Sequence, residues 1–304
     1  MPSKTRKQTK RRPLLLQTFW VGKPLSRLER AALQSYVNVG YAVQLYTYNP
    51  IAEFKKRVPR SPHIHVRDAR EILPESALFQ YSGRADKGKR ADAYHYLPFA
   101  DLFRYTMLQK KGGAWIDIDL LLFKPIPPSI LARPYVFSSE RTIQKGAYKN
   151  KIAELVDIGF VKVPGPNDPL MAWILEESPT NHTHVTSPHD YMKLYRKGIE
   201  ALKLERYILP ARAFMELNWW DTKDAFGTDS GKPGVCYEGK YGVQPFCVNN
   251  FKRADVYGVH ISRSIMRKKD LPYETAAGRQ ADNNLYDTLI AKIERDAGLP
   301  IDSL

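Results

Sequence analysis

The sequence predicts an α/β protein, a doubly wound sheet with helices on both faces. Two stretches carry that prediction. Residues 13–48 read as strand, helix, strand, and residues 99–116 read as a helix that doubles back through a glycine pair into a further strand. At 304 residues and 43% hydrophobic content the chain can bury a large core, which sets aside disordered and fibrous proteins.

The run PLLLQTFW, 13–20, is apolar enough to be a buried first strand. Ser26, with Glu29 three residues on, forms a capping box that opens a helix running to Gly40. A second strand, 42–48, follows. Ligands of such sheets sit beyond the carboxyl ends of the strands, so the segment Thr18 to Gly22 supplies candidate contacts, Thr18 and Trp20 foremost. Between Pro50 and Tyr96, Pro59, Pro62, Pro74 and the polar stretch SGRADKGKR predict short helices and a surface loop. From Phe99, Leu102, Phe103 and Leu108 recur at helical spacing until Gly112-Gly113 ends the helix, and a strand begins at Ala114. Later text predicts strands at 135–139, 158–163 and 256–261, and helices at 169–177, 187–204 and 282–297. No repeat and no Pro/Gly/Ser-rich linker interrupts it, so residues 13–304 read as one domain behind a basic, disordered tail at 1–12.

Lys and Arg outnumber Asp and Glu by 47 to 32, a formal charge of +15 that points to anionic partners: nucleic acid, an acidic membrane face or phosphate-bearing small molecules. The tail holds six basic residues and no acid, and the body stays basic without it. No apolar run approaches the roughly 18 residues of a membrane span, and no signal-peptide core follows the basic start. A cytoplasmic protein is expected, with peripheral contact at the inner face of a membrane as the tail's use. Cys236 and Cys247 are too few for a disulfide framework and lack zinc-site spacing, so they read as reduced thiols in a hairpin region rather than as a bridge.

The chemistry concentrates in ADLFRYTMLQKKGGAWIDID, residues 100–119. Side chains alternate along a strand, so Trp115, Asp117 and Asp119 are expected on one face and Ile116, Ile118 and Leu120 in the core. Two carboxylates then stand roughly 6.6 Å apart along the backbone. Like charges at a buried strand end repel unless a cation stands between them, and Mg²⁺ or Mn²⁺, shared with substrate phosphate oxygens, meets that need. Alone, Asp-x-Asp is common and more often marks a surface strand with two solvated aspartates. Asp101 and Arg104, three apart on the preceding helix, sharpen the reading, because the glycine turn folds their face back towards the aspartates. The expected site holds three carboxylates and a guanidinium.

This stretch resembles the DXD-motif, sugar-binding-region glycosyltransferases (family 32 of the glycosyltransferases) and, more distantly, the glucosyltransferase domains of the large clostridial toxins. The shared pattern is met at Ala100, Asp101, Leu102, Arg104, Tyr105, Leu108, Gly112, Gly113, Trp115, Asp117 and Asp119. The resemblance covers residues 13–125 well and the remainder loosely. It implies a GT-A fold, a Rossmann-like nucleotide-binding sheet, and transfer of a sugar from a UDP- or GDP-linked donor to a glycan, lipid-linked or other hydroxyl acceptor, with retention of configuration. By the same resemblance Trp20 stacks on the donor nucleobase, Asp101 and Arg104 grip sugar hydroxyls, Asp117 contacts ribose or sugar, and Asp119 is the direct metal ligand. VYGVHISRS resembles a late family segment whose strand ends beside the metal and diphosphate, which makes His260 a candidate ligand with Asp117 and Asp119, as a neutral imidazole suits Mn²⁺.

His63 and His65, and His182, His184 and His189, have ligand-like density but sit in loop-like text. Arg263, Arg267, Lys268 and Lys269 read as a solvated basic run or as part of a segment closing over the phosphates. The acceptor site is sought in the second half, near Asn218-Trp219-Trp220-Asp221. Two other classes remain beside the transferase: a metal-dependent phosphoryl hydrolase or nuclease, which also uses carboxylates and Mg²⁺, and a non-enzymatic basic protein binding RNA or anionic lipid. The body lacks nucleic-acid motifs, so no nucleic-acid partner is expected.

Overall fold

The computed structural model describes residues 14–80, 96–144, 146, 149, 151–178, 189–237, 239–268 and 284–298. The basic tail, the SGRADKGKR stretch, His182, His184 and Lys269 lie outside them. β1 (Leu15–Trp20) runs into Ser26, where both halves of the capping box form and open α1 (Arg27–Asn38). β2 (Ala42–Thr47) pairs parallel with β1, Leu15 opposite Ala42. After α2 (Ile51–Lys55) the chain makes β3 (Ile64–Asp68), parallel to β2. That strand corrects the expectation of only helices and loop between Pro50 and Tyr96: Ile64 and Val66 face the core while His65 and Arg67 face out.

α3 (Leu97–Lys111) ends at Gly112, and β4 (Gly113–Ile116) leaves at once beside β1. Both glycines need their freedom. Gly112 has φ +65°, and a Cβ there would lie 2.3 Å from the Gly165 carbonyl carbon; its own carbonyl accepts from Gln17 Nε2 at 2.8 Å. β5 (Leu120–Leu122) and α4 (Pro128–Leu131) follow, then β6 (Val136–Ile143) and the long β7 (Ile152–Val163), paired antiparallel. α5 (Pro169–Glu176) and α6 (Asp190–Ala201) come next. The two-residue strands β8 (Cys236–Tyr237) and β9 (Phe246–Cys247), then β10 (Gly258–His260), α7 (Arg263–Lys268) and α8 (Leu285–Ala297) complete the described chain.

The six-stranded sheet has the order β3-β2-β1-β4-β7-β6, parallel through the first four strands and antiparallel at β7 and β6. Alternation divides its side chains between two cores. Leu16, Trp20, Val43 and Leu45 pack with α1 and α8 on one face, and Phe19, Tyr46 and Trp115 with α3, α5 and α6 on the other. The expected α/β class with helices on both faces is the architecture observed. Arg27 of α1, buried, ties down α8 through Asp287 at 2.6 Å and Glu294 at 3.4 Å, so the end of the chain closes over its beginning.

The reading of two reduced thiols is corrected. Cys236 and Cys247 are directly opposite in the antiparallel β8–β9 pair, which brings their sulfurs within bonding reach, and they form a disulfide. No helix among the described residues is long and apolar enough to cross a membrane.

Candidate active site

β4 stops at Ile116, one residue short of the motif, and this corrects the expected strand through both aspartates. Asp117-Ile118-Asp119 is a tight turn closed by the Leu120 N–H donating to the Asp117 carbonyl at 3.0 Å. The Ile-Asp-Ile-Asp alternation imitates a strand, but the backbone of Asp117 has other partners. Its N–H donates to the Gly159 carbonyl of β7 at 2.8 Å, and its carbonyl accepts from the Tyr36 hydroxyl at 2.8 Å. Ile118 is buried. The turn draws the two carboxylates towards one point instead of spacing them along a strand face.

β10 brings the third member. It pairs antiparallel with β5, His260 opposite Leu120, and the Ile261 N–H donates to the Asp119 carbonyl at 3.0 Å. Ligand atoms of Asp117, Asp119 and His260 then lie within 4.8 Å of one another, the one such group of His, Cys, Asp or Glu able to hold a metal among the described residues. His260 Nε2 is 3.0 Å from Asp119 Oδ1 and 3.9 Å from Asp117 Oδ2. All three side chains keep some exposure, between 11% and 18%, so a solute can reach them. His63 and His65, by contrast, are exposed on or beside β3.

Behind this group stands a buried electrostatic chain. Arg104 donates from one terminal nitrogen to Asp101 Oδ1 and from the other to Asp117 Oδ1, both at 2.6 Å. Its guanidinium lies 4.8 Å over the Trp115 ring, and Trp115 Nε1 donates to the same Asp117 oxygen at 2.7 Å. Asp117 Oδ1 is thereby saturated, and Oδ2 is left facing Asp119 and His260. Asp101 and Arg104, at 1% and 3% side-chain exposure, sit behind Asp117 rather than on the open side of the site. Burial pushes the Asp101 carboxyl up to about 7 even with Arg104 pulling it down.

Of the front carboxyls, Asp119 is shifted in the opposite sense. Burial works to raise Asp119, but His260 and the Arg263 N–H, which donates to Asp119 Oδ2 at 3.0 Å, outweigh it and leave the carboxyl below its ordinary value. Burial likewise disfavours a charged His260, yet Asp119 and Asp157 overcome it and hold the imidazole well above its usual range. Asp117 is raised, by burial first, against the pull of Arg104. Two carboxylates and an imidazole converging in this way are a donor set of hard oxygens and borderline nitrogen, suited to Mn²⁺ or Mg²⁺.

Trp20 reaches this region from β1 through Arg263, whereas Thr18 is buried within the same strand. Trp20 is buried, donates from Nε1 to the Lys23 carbonyl at 2.6 Å, and has the Arg263 guanidinium 4.4 Å over its ring. Arg263 in turn pairs with buried Glu29, the capping-box residue of α1, at 2.8 Å. Arg263 is therefore no solvated surface cation; it links Trp20, Glu29 and Asp119. The Thr18 hydroxyl is buried with no hydrogen-bond partner among the described residues. In the segment expected to hold the acceptor, Asn218 and Asp221 are bonded to each other at 2.8 Å, and Trp219, Trp220 and Tyr241 pack edge to face.

One residue of the group escaped the sequence reading. Asp157 of β7 is buried, and its Oδ2 is 3.6 Å from His260 Nδ1. An acid inside the apolar run Leu155-Val156-Asp157-Ile158-Gly159-Phe160 is the signal that could have found it.

Residues 51–137 match the family described as glycosyltransferase sugar-binding region containing DXD motif. None of the curated proteins compared with the chain matches it. Among solved structures the chain is similar to PaToxG glycosyltransferase, at 14% identity over 92% of this chain and 87% of that one, with a TM-score of 0.41. It is also similar to a transferase carrying two cysteine-to-serine mutations, at 13% identity over 62% of this chain and 84% of that one, with a TM-score of 0.35. The segment Ala100 to Asp119 lies wholly inside the matched residues, so the resemblance it carries, to the DXD-motif glycosyltransferases, is the one the family match supports.

Proposed function

We propose that this protein is a metal-dependent glycosyltransferase that moves a sugar from a UDP- or GDP-linked donor to a glycan, lipid-linked or other hydroxyl acceptor, with retention of configuration. The observation that carries this reading is the convergence of Asp117 and Asp119, from the matched sugar-binding region, with His260, 141 residues after Asp119. The donor set fits Mn²⁺ or Mg²⁺, with Asp119, Asp117 and His260 as the holding residues. When bound, such an ion supplies Lewis-acid stabilisation of the charge that grows on the departing diphosphate.

The chain's own residues do the remaining work. Asp119 Oδ1 and Asp117 Oδ2 offer the oxygens. Arg104 and Trp115 fix the Asp117 rotamer, so the carboxylate is aimed before donor arrives. With Asp101 and Arg104 behind Asp117, we assign them to orienting it; any grip on sugar hydroxyls passes through that carboxylate. The Thr18 hydroxyl and the Trp20 ring are the donor-side contacts, which requires Arg263 to share or yield the ring face it covers. The departing phosphate oxygen itself can take the acceptor proton, which suits a site with no marked nucleophile. Residues 13–304 act as one domain, and the basic tail is the segment by which the protein meets an anionic membrane face, each Lys or Arg near it contributing about 1 kcal/mol.

A screen of nucleotide sugars for donor hydrolysis, with and without Mn²⁺, tests the reading. Metal-stimulated release of a nucleoside diphosphate from one donor is the expected outcome. Release from no donor, with phosphodiester or phosphomonoester cleavage instead, would assign the site to a phosphoryl hydrolase; activity on neither class would leave a binding protein.

A further inference from the structure

Asp157, held on β7 beside the site, has no part in the function proposed so far. Its Oδ2 accepts from the Gly159 N–H at 3.1 Å and from the Ser138 hydroxyl at 3.3 Å, so the carboxylate is locked in place on β7. The side chain is 7% exposed. Facing it, His260 Nδ1 is buried with no hydrogen-bond partner, at 3.6 Å. A shift of about half an ångström in the ring brings Nδ1 into hydrogen-bond range of that oxygen. The backbone keeps the gap open for the two to meet: a Cβ on Gly159 would lie 2.9 Å from both Asp157 Oδ2 and His260 Nδ1. The other ring nitrogen, Nε2, points at Asp119 and Asp117.

We propose that Asp157 is a positioning residue that fixes the tautomer and orientation of His260, holding the ring proton on Nδ1 so that the Nε2 lone pair is presented to a divalent cation between Asp117 and Asp119. The inference rests on the metal-binding reading of the site and extends it to a residue that touches neither metal nor donor. A carboxylate accepting from the far nitrogen of a ligating histidine removes the freedom of the ring to flip or to carry its proton on the wrong side, and makes the ligating nitrogen more basic. Losing such a partner typically weakens metal affinity 10- to 100-fold.

The test is Mn²⁺ binding to the full chain, followed by the loss of the free-ion electron paramagnetic resonance signal, with and without UDP or GDP. Asp157→Asn keeps an acceptor oxygen without the charge and should weaken Mn²⁺ about tenfold, and Asp157→Ala should weaken it towards 100-fold. What a merely structural role does not give is the dependence of this loss on His260. In a His260→Ala background, Asp157→Asn should change Mn²⁺ affinity no further. Should Asp157→Ala fail to fold, the Asn pair carries the comparison. Wild-type affinity in Asp157→Asn overturns the inference and leaves the glycosyltransferase reading standing, as does an equal loss in the His260→Ala background. Absence of Mn²⁺ binding in wild type overturns both.

Discussion

Arg104 is the buried cation whose loss should be felt most widely, because one guanidinium answers two carboxylates. Arg104→Met keeps most of the side-chain volume and leaves buried Asp101 and part-buried Asp117 with no shared partner. Breaking a buried pair by removing one member typically costs about 3–5 kcal/mol. At roughly 2–4 °C per kcal/mol for a protein somewhat smaller than this one, the expected fall in Tm is about 6–20 °C. The fall should depend on pH, with a sign the structure sets. Asp101 already stands near 7, above its unfolded value, and loses the group that pulls it down, so its folded-state value rises further. A carboxyl raised on folding favours the folded state while protonated, and that contribution is lost as pH rises through the folded-state value. Arg104→Met should therefore be closer to wild type at pH 5.5 than at pH 8.5. Adding Asp101→Leu to Arg104→Met should restore more than half of the lost Tm, since one of the two stranded charges goes with it. Differential scanning calorimetry of wild type, single and double variants at both pH values is the assay. A Tm within about 2 °C of wild type, or a double variant no better than the single, refutes the reasoning.

Gly112 and Gly40 share a positive φ but differ in surroundings: a Cβ at Gly112 meets the Gly165 backbone at 2.3 Å, whereas nothing lies within 4 Å at Gly40. Gly112→Ala should yield little folded protein while Gly40→Ala costs about 1 kcal/mol, and comparable denaturation midpoints for the two would contradict the packing account. Trp20→Ala should weaken nucleotide binding by about 1–3 kcal/mol if the ring stacks on the donor base; unchanged affinity in the folded fraction would leave Trp20 a core residue only. For the disulfide, alkylation of denatured, unreduced protein followed by mass measurement should find no free thiol. A bridge closing this short loop contributes at most about 3 kcal/mol, and two free thiols would contradict it.

Local chemistry was readable and long-range register was not. Ser26 and Glu29 announce the start of α1 because the cap is made within four residues, and Gly112-Gly113 announces the end of α3 because only glycine tolerates that turn. β3 went unseen between prolines, since a short edge strand needs little more than Ile64 and Val66 on one face. The motif was found but its shape was misread: alternation alone cannot reveal that the Asp117 amide pairs with Gly159 of β7 and that the chain turns there. The same gap hid Asp157, whose partner lies about a hundred residues on, and the bridge between Cys236 and Cys247, which depends on the register of a two-residue strand pair. The family resemblance named Asp117, Asp119 and His260; their meeting at one point is a property of β4, β5 and β10 together.

The measurement that bears most directly on the site is calorimetric titration of UDP and GDP, with and without Mn²⁺, into wild type, Asp119→Ala and Asp117→Ala. Each carboxylate gives one oxygen to the protein, Asp119 to the Arg263 N–H and Asp117 to Arg104 and Trp115, and it is the family resemblance that makes Asp119 the direct ligand. The expected result is that Mn²⁺ tightens binding of one nucleotide to wild type, that Asp119→Ala abolishes this gain, and that Asp117→Ala keeps part of it. Equal enhancement by Mn²⁺ in wild type and Asp119→Ala would contradict the account, because the turn at 117–119 would then not be where the metal is held.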